Sequence, residues 1–127
     1  MNIPKTLEEC YTELENLEDL EEWLNLNDKE SSAVSLSHHG LGTWIRNNWG
    51  LWEGKGELYN WFKENEINHP DDMSGIIITS FYRFKHNIDI KLDEQINDSV
   101  EYYLNDNQKL LRQRKIKLDK LNDENLL

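Results

Sequence analysis

The chain has very little cysteine, few cationic side chains and no long hydrophobic run, and each shortage excludes a class of protein. Cys10 is the single cysteine among 127 residues, so neither a disulfide within the chain nor a cysteine-based zinc site can form. Only 14 Lys and Arg stand against 25 Asp and Glu, a formal net charge of −11. This charge disfavours nonspecific binding to nucleic acid or to anionic membranes, whereas a basic surface on a partner protein complements it.

The hydrophobic content is also low, at 37%. No run approaches the length of a membrane-spanning helix, and the first residues, MNIPKTLEE, lack the apolar core of a secretory signal. We therefore expect a cytoplasmic protein that does not associate with membranes. Five Trp, five Tyr and three Phe can still bury a large area, so the composition predicts one domain with a small core.

The aromatic stretch HHGLGTWIRNNWGLW at residues 38–52 holds three of the five tryptophans. At helical spacing Leu41, Ile45 and Trp49 share a wide apolar face, and His39 and Arg46 project from the opposite side. Gly50 is placed to end the helix in the left-handed conformation. We predict a central helix that begins near residue 31 or 32 and is crossed by helices at residues 56–67 and 73–86.

Two interpretations of this stretch stay open. It is either an ordinary core helix or the wall of a ligand pocket that includes the second motif, HPDDMSGIII at residues 69–78. The candidate pocket residues are His38, Arg46, Asn48, Trp49, Trp52, His69, Asp71 and Asp72. A related hypothesis has Arg46 or Asn48 bonded to Asp71 or Asp72, which would pin one core helix to another because charge-assisted pairs are strong and directional.

No catalytic residue, metal or cofactor is predicted. His38, His69 and one aspartate could converge on a divalent metal, but no metal-binding spacing supports such a site. Asp71 and Asp72 could form an acid–base pair, yet acids in the first turn of a helix are ordinary capping residues. Cys10 lies among acids that would raise its pKa and leave the thiol unreactive.

Residues 6–25 predict an acidic amphipathic helix, because Thr6 and Glu9 form a T-x-x-E capping box before an apolar helical pattern. Residues 1–30 contain ten Asp or Glu and two Lys, a local charge of −8. These acids form either a solvated helix face or a docking surface. The candidate contact residues are Glu15, Glu18, Asp19, Glu21 and Glu22.

The second half of the chain predicts two more helices. Pro70 suits the first position of a helix, and apolar residues from Met73 to Phe84 follow at helical spacing, so a helix is favoured over a strand. A last helix begins near Leu92 and becomes basic beyond Asn105. Residues 109–120 carry six Lys or Arg and one Asp, and leucines seven apart form a weak heptad pattern. This part could dock on the acidic helix, join a homodimer, or project as a tail with weak affinity for nucleic acid.

The predicted fold is an all-α bundle of about five helices. Residues 1–104 form a single helical domain, with the acidic N-terminal helix at 6–25 and the core at 31–104. Residues 105–127 form a basic C-terminal helical extension.

The motifs HHGLGTWIRNNWGLW and HPDDMSGIII also resemble the signature of a family of small bacterial proteins of unknown function. The resemblance covers residues 30–104. It implies an α-helical domain in which the two motifs belong to one site or one core. It implies no activity and no catalytic residue.

Small size, strong negative charge and the absence of a catalytic signature favour a non-catalytic protein-binding module. Inhibitors, immunity proteins and phage anti-defence proteins of this type cover a basic surface of a nuclease or another nucleic-acid-binding protein. The alternative is a small-ligand-binding or hydrolytic pocket protein that uses the candidate pocket residues of the two motifs.

Overall fold

The computed structural model describes residues 2–125, and these residues form eight α-helices and no β-strand. The predicted all-α class is confirmed, but the number of helices is larger than five because three predicted helices are each divided in two. The helices are α1 (Leu7–Glu15), α2 (Leu20–Trp23), α3 (Glu30–Ser37), α4 (Leu41–Asn48), α5 (Glu57–Glu64), α6 (Pro70–Lys85), α7 (Leu92–Glu101) and α8 (Asp106–Asn125).

Helix α6 is the centre of the bundle, since it packs against α1, α3, α4 and α7. It begins at Pro70 as predicted, and Met73, Ile77 and Phe81 of its apolar stripe are fully buried. Ile76 and Ile78 are buried as well, because neighbouring helices cover α6 on several sides. The bundle is therefore organised around α6, and the aromatic stretch at residues 38–52 packs against it.

The predicted acidic helix at residues 6–25 is divided into α1 and the single turn α2. The N-cap half of its capping box is confirmed, because the side chain of Thr6 accepts a hydrogen bond from the Glu9 backbone N–H at 3.1 Å, whereas the Glu9 carboxylate accepts from the backbone N–H of Lys5 at 3.2 Å and not from that of Thr6. A continuous helix would place Glu15 beside Asp19 and Glu18 beside Glu22, and like charges four residues apart destabilise a helix. No Lys or Arg lies between residues 6 and 28 to offset this repulsion.

The predicted central helix is divided into α3 and α4 by a turn at residues 38–40. In a continuous helix the His38 carbonyl would accept from the backbone N–H of residue 42. It accepts instead from the guanidinium of Arg46, at 3.0 Å. The C-terminal end matches the prediction, since Gly50 follows α4 with φ of 78°.

The last helix begins at Leu92 as predicted but is divided into α7 and α8. The Asn105 side chain accepts from the Gln108 backbone N–H at 2.9 Å, and the Gln108 side chain accepts from the Asn105 N–H at 3.0 Å. This reciprocal capping box starts a new helix. The N-x-x-Q pattern that produces it is visible in the sequence.

Helix α8 is attached to the body through its first half. Arg112 pairs with Glu66 at 3.2 Å and also bonds Asn97, and Gln113 bonds Asn97 and Glu101. Side chains 114–124 are all exposed. Among the described residues these polar contacts go to α7 and to Glu66, so of the three alternatives for this extension, docking on the acidic N-terminal helix is not observed. None of the described helices combines the length and hydrophobicity needed to cross a membrane.

Candidate functional site

Arg46 connects the two sequence motifs inside the core. Its side chain is only 5% exposed, and its guanidinium donates to Ser74 at 2.7 Å, to Thr43 at 3.0 Å and to the His38 carbonyl at 3.0 Å. Its Nε lies 3.3 Å from Oδ1 of Asp71. Thus one buried cation on α4 ties the turn before that helix to the first turns of α6.

The contact between Arg46 and Asp71 is an ion pair without a well-aligned hydrogen bond. The distance of 3.3 Å satisfies an ion pair, but within the described residues the Nε–H has no acceptor in a suitable direction. Asp71 is 43% exposed, so solvent screens the pair. We therefore attribute the position of Arg46 mainly to its three hydrogen bonds.

Gly42 leaves the space that the guanidinium occupies. A Cβ atom at this position would lie 2.8 Å from a terminal nitrogen of Arg46, closer than nonbonded atoms tolerate. Ser74 completes the site, since its hydroxyl accepts from Arg46 and donates to the Asp71 carbonyl at 3.0 Å. Gly42 of the first motif therefore provides space for the Arg46 side chain, and Ser74 of the second motif provides a hydrogen-bond acceptor for it.

One expectation about this helix is wrong, and one of two alternatives is not observed. Arg46 was expected on the polar side with His39, but the turn at residues 38–40 separates the two and Arg46 is buried. The side chain of Asn48 does not bond Asp71 or Asp72. It donates to the Trp44 carbonyl of its own helix at 2.8 Å. Of the proposed contacts between the two motifs, the structure contains only the ion pair between Arg46 and Asp71.

The first turn of α6 holds the remaining polar candidates in capping roles. His69 is the N-cap residue, and its Nδ1 accepts from the Asp71 backbone N–H at 3.0 Å. The ring of Trp52 meets the His69 ring edge to face, with centroids 5.8 Å apart. Asp72 accepts a hydrogen bond from the Tyr103 hydroxyl at 2.7 Å. This hydrogen bond raises the pKa of Tyr103 to about 12.

The eight candidate pocket residues do not converge on one cavity. Trp49 is buried in the core at 1% exposure, whereas Trp52 is 54% exposed on the surface. Only His69 and Asp72 line the larger cleft of the molecule, which lies between α5, α7 and α8. Over the described part of the chain, no group of three His, Cys, Asp or Glu side chains is arranged to hold a metal ion.

The acidic candidates lie on the surface, at the end of α1, in the segment before α2 and in α2 itself. Glu15 pairs with Lys85 at 3.3 Å. The other four acids are exposed and have no ion-pair partner within residues 2–125; they are Glu18, Asp19, Glu21 and Glu22. Their charges are therefore available to a partner.

Trp23, which the sequence places in the apolar pattern of the first helix and not among the contact residues, lies among these acids. Its side chain is 39% exposed, and its ring packs beside Gly40, where a Cβ atom would lie 3.4 Å from the ring. The helical pattern had assigned Trp23 to the buried face. The break before α2 changes the direction of that face, so the exposure of Trp23 could not be read from a continuous helix.

Cys10 takes no part in either arrangement. It is fully buried, and burial, followed by the nearby charges of Glu9 and Glu8, raises the pKa of its thiol. A thiol that stays protonated is a poor nucleophile. This agrees with the expectation that Cys10 is a structural residue.

A family model described as a domain of unknown function, DUF6794, matches residues 3–85. The match starts before α1 and ends with α6, so it includes both motifs and Arg46 with its partners. It begins earlier than the resemblance at residues 30–104 indicated, and it does not reach α7 or α8. No curated protein and no solved structure matches the chain. Because the family match spans well over half of the 127 residues, the chain belongs to the DUF6794 family.

Proposed function

We propose that this protein is a non-catalytic binding module whose acidic face covers a basic surface of a partner protein. The acidic face consists of Glu18, Asp19, Glu21 and Glu22 with Trp23 among them. The observation that carries the proposal is the exposure of a large aromatic side chain within a group of carboxylates that lack ion-pair partners in the described chain.

This combination suits protein recognition because the two kinds of group contribute differently. Exposed carboxylates steer a basic partner and raise its association rate, an effect that salt weakens. A tryptophan that becomes buried on binding supplies much of the affinity, since Trp is enriched among the residues that dominate interface energies. The acids therefore favour encounter, and Trp23 anchors the complex.

The expected partner is a nuclease or another protein that binds nucleic acid. Surfaces that bind phosphate are rich in Lys and Arg, and a close set of carboxylates offers them a similar charge. By covering such a surface, the module would act as an inhibitor or as an immunity or anti-defence protein. The net charge of −11 also attracts a basic partner at long range.

The alternative of a pocket built on the two motifs has less support. Arg46 directs its terminal nitrogens at Ser74, Thr43 and the His38 carbonyl, so they are not directed at a ligand. Asp71 and His69 are engaged in the first turn of α6. These residues favour a structural role for the site.

The test is a capture experiment at low and at high salt, in which the wild type is compared with two variants of the acidic face. One variant replaces the four acids by their amides, and the other is Trp23→Ala. We expect a basic protein that the wild type retains at low salt and releases at high salt. After purification of that protein, each variant should bind it about tenfold or more weakly in calorimetry.

A matched control separates the acidic face from net charge. It carries the same four amide replacements at exposed acids elsewhere, namely Glu53, Glu64, Asp93 and Asp98. We expect the control to bind like the wild type, and the complex to inhibit the partner's action on nucleic acid. An equal loss of binding in both quadruple variants would mean that net charge, and not the acidic face, determines binding. Undiminished binding by the acidic-face variants would contradict the proposal.

A further inference from the structure

A cleft of about 870 Å³ lies between the end of α5, the segment before α6, and helices α7 and α8. Its volume is within the range of small-molecule sites in proteins, about 300–1,000 Å³. The cleft is distinct from the acidic face, because none of the acids proposed there lines it. It includes residues beyond the family match, which ends at residue 85.

The floor of the cleft is aliphatic. Ile67, Val100, Leu104 and Leu111 line it. Leu111 is 63% exposed, an unfavourable state for a large aliphatic side chain that faces a concave surface. Tyr103 and the imidazole of His69 supply the aromatic rings among the residues that line the cleft, so there are few flat faces for a planar ligand to stack on. The lining therefore suits a flexible aliphatic chain better than an aromatic ring.

The rim of the cleft is positively charged in a protein of net charge −11. The rim carries three cations and two acids, namely Lys63, Arg112 and Lys115 with Glu66 and Asp72. Glu66 is paired with Arg112 at 3.2 Å, and Asp72 accepts the hydrogen bond from Tyr103. The two lysines are left as the charges available to a ligand.

Neither lysine is neutralised within the described chain. Lys63 donates to the side-chain oxygen of Asn68 at 2.7 Å, and an amide does not cancel its charge. Lys115 is exposed and forms no ion pair with a described residue. His69 stands on the same rim, and because its Nδ1 accepts a backbone hydrogen bond, its other ring nitrogen carries the proton in the neutral form. The rim thus offers cations and a donor to an anionic group.

We propose that this cleft binds a long-chain acyl carboxylate, with the chain on the aliphatic floor and the carboxylate between Lys63 and Lys115. Charge complementarity selects an anion, and the floor selects an aliphatic body. The proposal uses none of the residues of the acidic face. Its failure would therefore leave the proposed function untouched, and the reverse also holds.

The experiment is a fluorescence titration of the full chain with dansyl-labelled undecanoic acid, followed by displacement with dodecanoate or with its methyl ester. We expect saturable binding of the probe, and displacement by dodecanoate at a concentration about tenfold or more below that of the ester. Equal displacement by the ester would show an apolar surface without carboxylate recognition, and absence of saturable binding would overturn the proposal outright.

Two pairs of matched variants locate the site. The double variant Lys63→Glu/Lys115→Glu should weaken binding by about tenfold or more, whereas Lys117→Glu/Lys120→Glu, with the same change of charge on exposed residues of α8, should not. Leu111→Gln should weaken binding, whereas Leu110→Gln, on a side of α8 outside the cleft, should not. Circular dichroism verifies that each variant is folded. If sedimentation shows a dimer that Leu111→Gln dissociates and Leu110→Gln does not, a second copy of the chain occupies the cleft and the proposal is wrong.

Discussion

Gly50 occupies a backbone conformation that other residues reach only with strain. Its φ is 78°, and its carbonyl accepts from the N–H groups of Gly54 and Lys55 at 3.0 and 3.2 Å. A Cβ atom here would lie 2.6 Å from the Lys55 carbonyl oxygen. The turn that leads out of α4 thus depends on glycine both for the dihedral angle and for space.

We predict that Gly50→Ala lowers the free energy of unfolding by about 2–4 kcal/mol, because backbone strain and a steric clash add. Gly75→Ala is the control. Gly75 lies inside α6, and a Cβ atom there would have no neighbour within 4 Å. This substitution should stabilise the protein by about 0.5–1 kcal/mol. Urea denaturation measures both, and similar values for the two variants would contradict the prediction.

Substitution of Arg46 tests whether the site that joins the two motifs stabilises the fold. We predict that Arg46→Ala lowers the free energy of unfolding by about 2–4 kcal/mol, because Ser74, Thr43 and the His38 carbonyl each lose a charged donor. Asp71→Asn should lower it by about 1 kcal/mol or less, since Asp71 is partly exposed. An equal or larger loss for Asp71→Asn in urea denaturation would mean that the ion pair, and not the hydrogen-bond set, holds the helices.

For individual side chains, the sequence predicted which residues of the two motifs are important but did not predict all their hydrogen-bond partners. A charged link from Arg46 to the acids of the second motif was expected and is present. Ser74 was not expected, because a serine on an apolar helix gives no signal of its own until another helix brings a buried donor to it. The alternative link from Asn48 to these acids is not made, since a side-chain amide can bond its own helix as readily as another one.

Among the secondary-structure elements, the turn between α7 and α8 is tied to α6 by the hydrogen bond from Tyr103 to Asp72. This bond raises the pKa of Tyr103 from 10.0 to about 12. A group whose pKa is raised on folding stabilises the folded state below its unfolded pKa. That contribution is therefore complete below about pH 10 and disappears as the pH rises through about 12.

We predict that Tyr103→Phe loses this stabilisation at neutral pH and flattens the fall of stability between about pH 10 and 12. Tyr102→Phe is the matched control, since the neighbouring Tyr102 is 82% exposed. Thermal unfolding at a series of pH values, with the ultraviolet titration of tyrosinate, measures the effect. Identical profiles for the two variants would contradict the assigned hydrogen bond.

The exposed second half of α8 predicts that this helix adds little to the stability of the body. Deletion of residues 106–127 removes the contacts of Arg112 and Gln113, so we expect a loss of less than about 2 kcal/mol with cooperative unfolding retained. All five tryptophans precede residue 62, so their fluorescence reports the remaining core. A deletion variant that no longer unfolds cooperatively would show that α8 is part of that core.

The same deletion addresses the partners predicted for the basic extension. If α8 joins a homodimer, as its heptad pattern suggested, the full chain will sediment as a dimer and the deleted chain as a monomer. If it contacts nucleic acid weakly, deletion will abolish that binding at low salt. Both remain predictions, and the exposure of side chains 114–124 leaves this part of the helix accessible to either partner.

For the whole molecule, the dominant feature is an excess of negative charge that five ion pairs between charged side chains in the described chain do not compensate. Like charges repel in the folded state, and salt screens them. We predict that the melting temperature rises as NaCl increases from about 10 to 150 mM, a range in which the Debye length falls from about 30 to 8 Å.

The rise should be smaller in the variant with amides at Glu18, Asp19, Glu21 and Glu22, because it lacks the densest part of the repulsion. The control variant with four amides elsewhere should keep more of the wild-type salt dependence. A melting temperature that falls with salt in the wild type would mean that surface ion pairs outweigh the repulsion.

The amino-acid sequence by itself determined the helical class, the starts of α1, α6 and α7, and the end of α4 at Gly50. These features depend on neighbouring residues: helical spacing, capping boxes, a proline and a glycine act within one or two turns. The tertiary structure decided which helix is central, where the long helices break, and which polar residues meet. Arg46 bonds Ser74 only when α4 lies on α6, and the cleft exists only when α8 lies beside α7. Such contacts depend on residues far apart in the chain, and their geometry is set by packing.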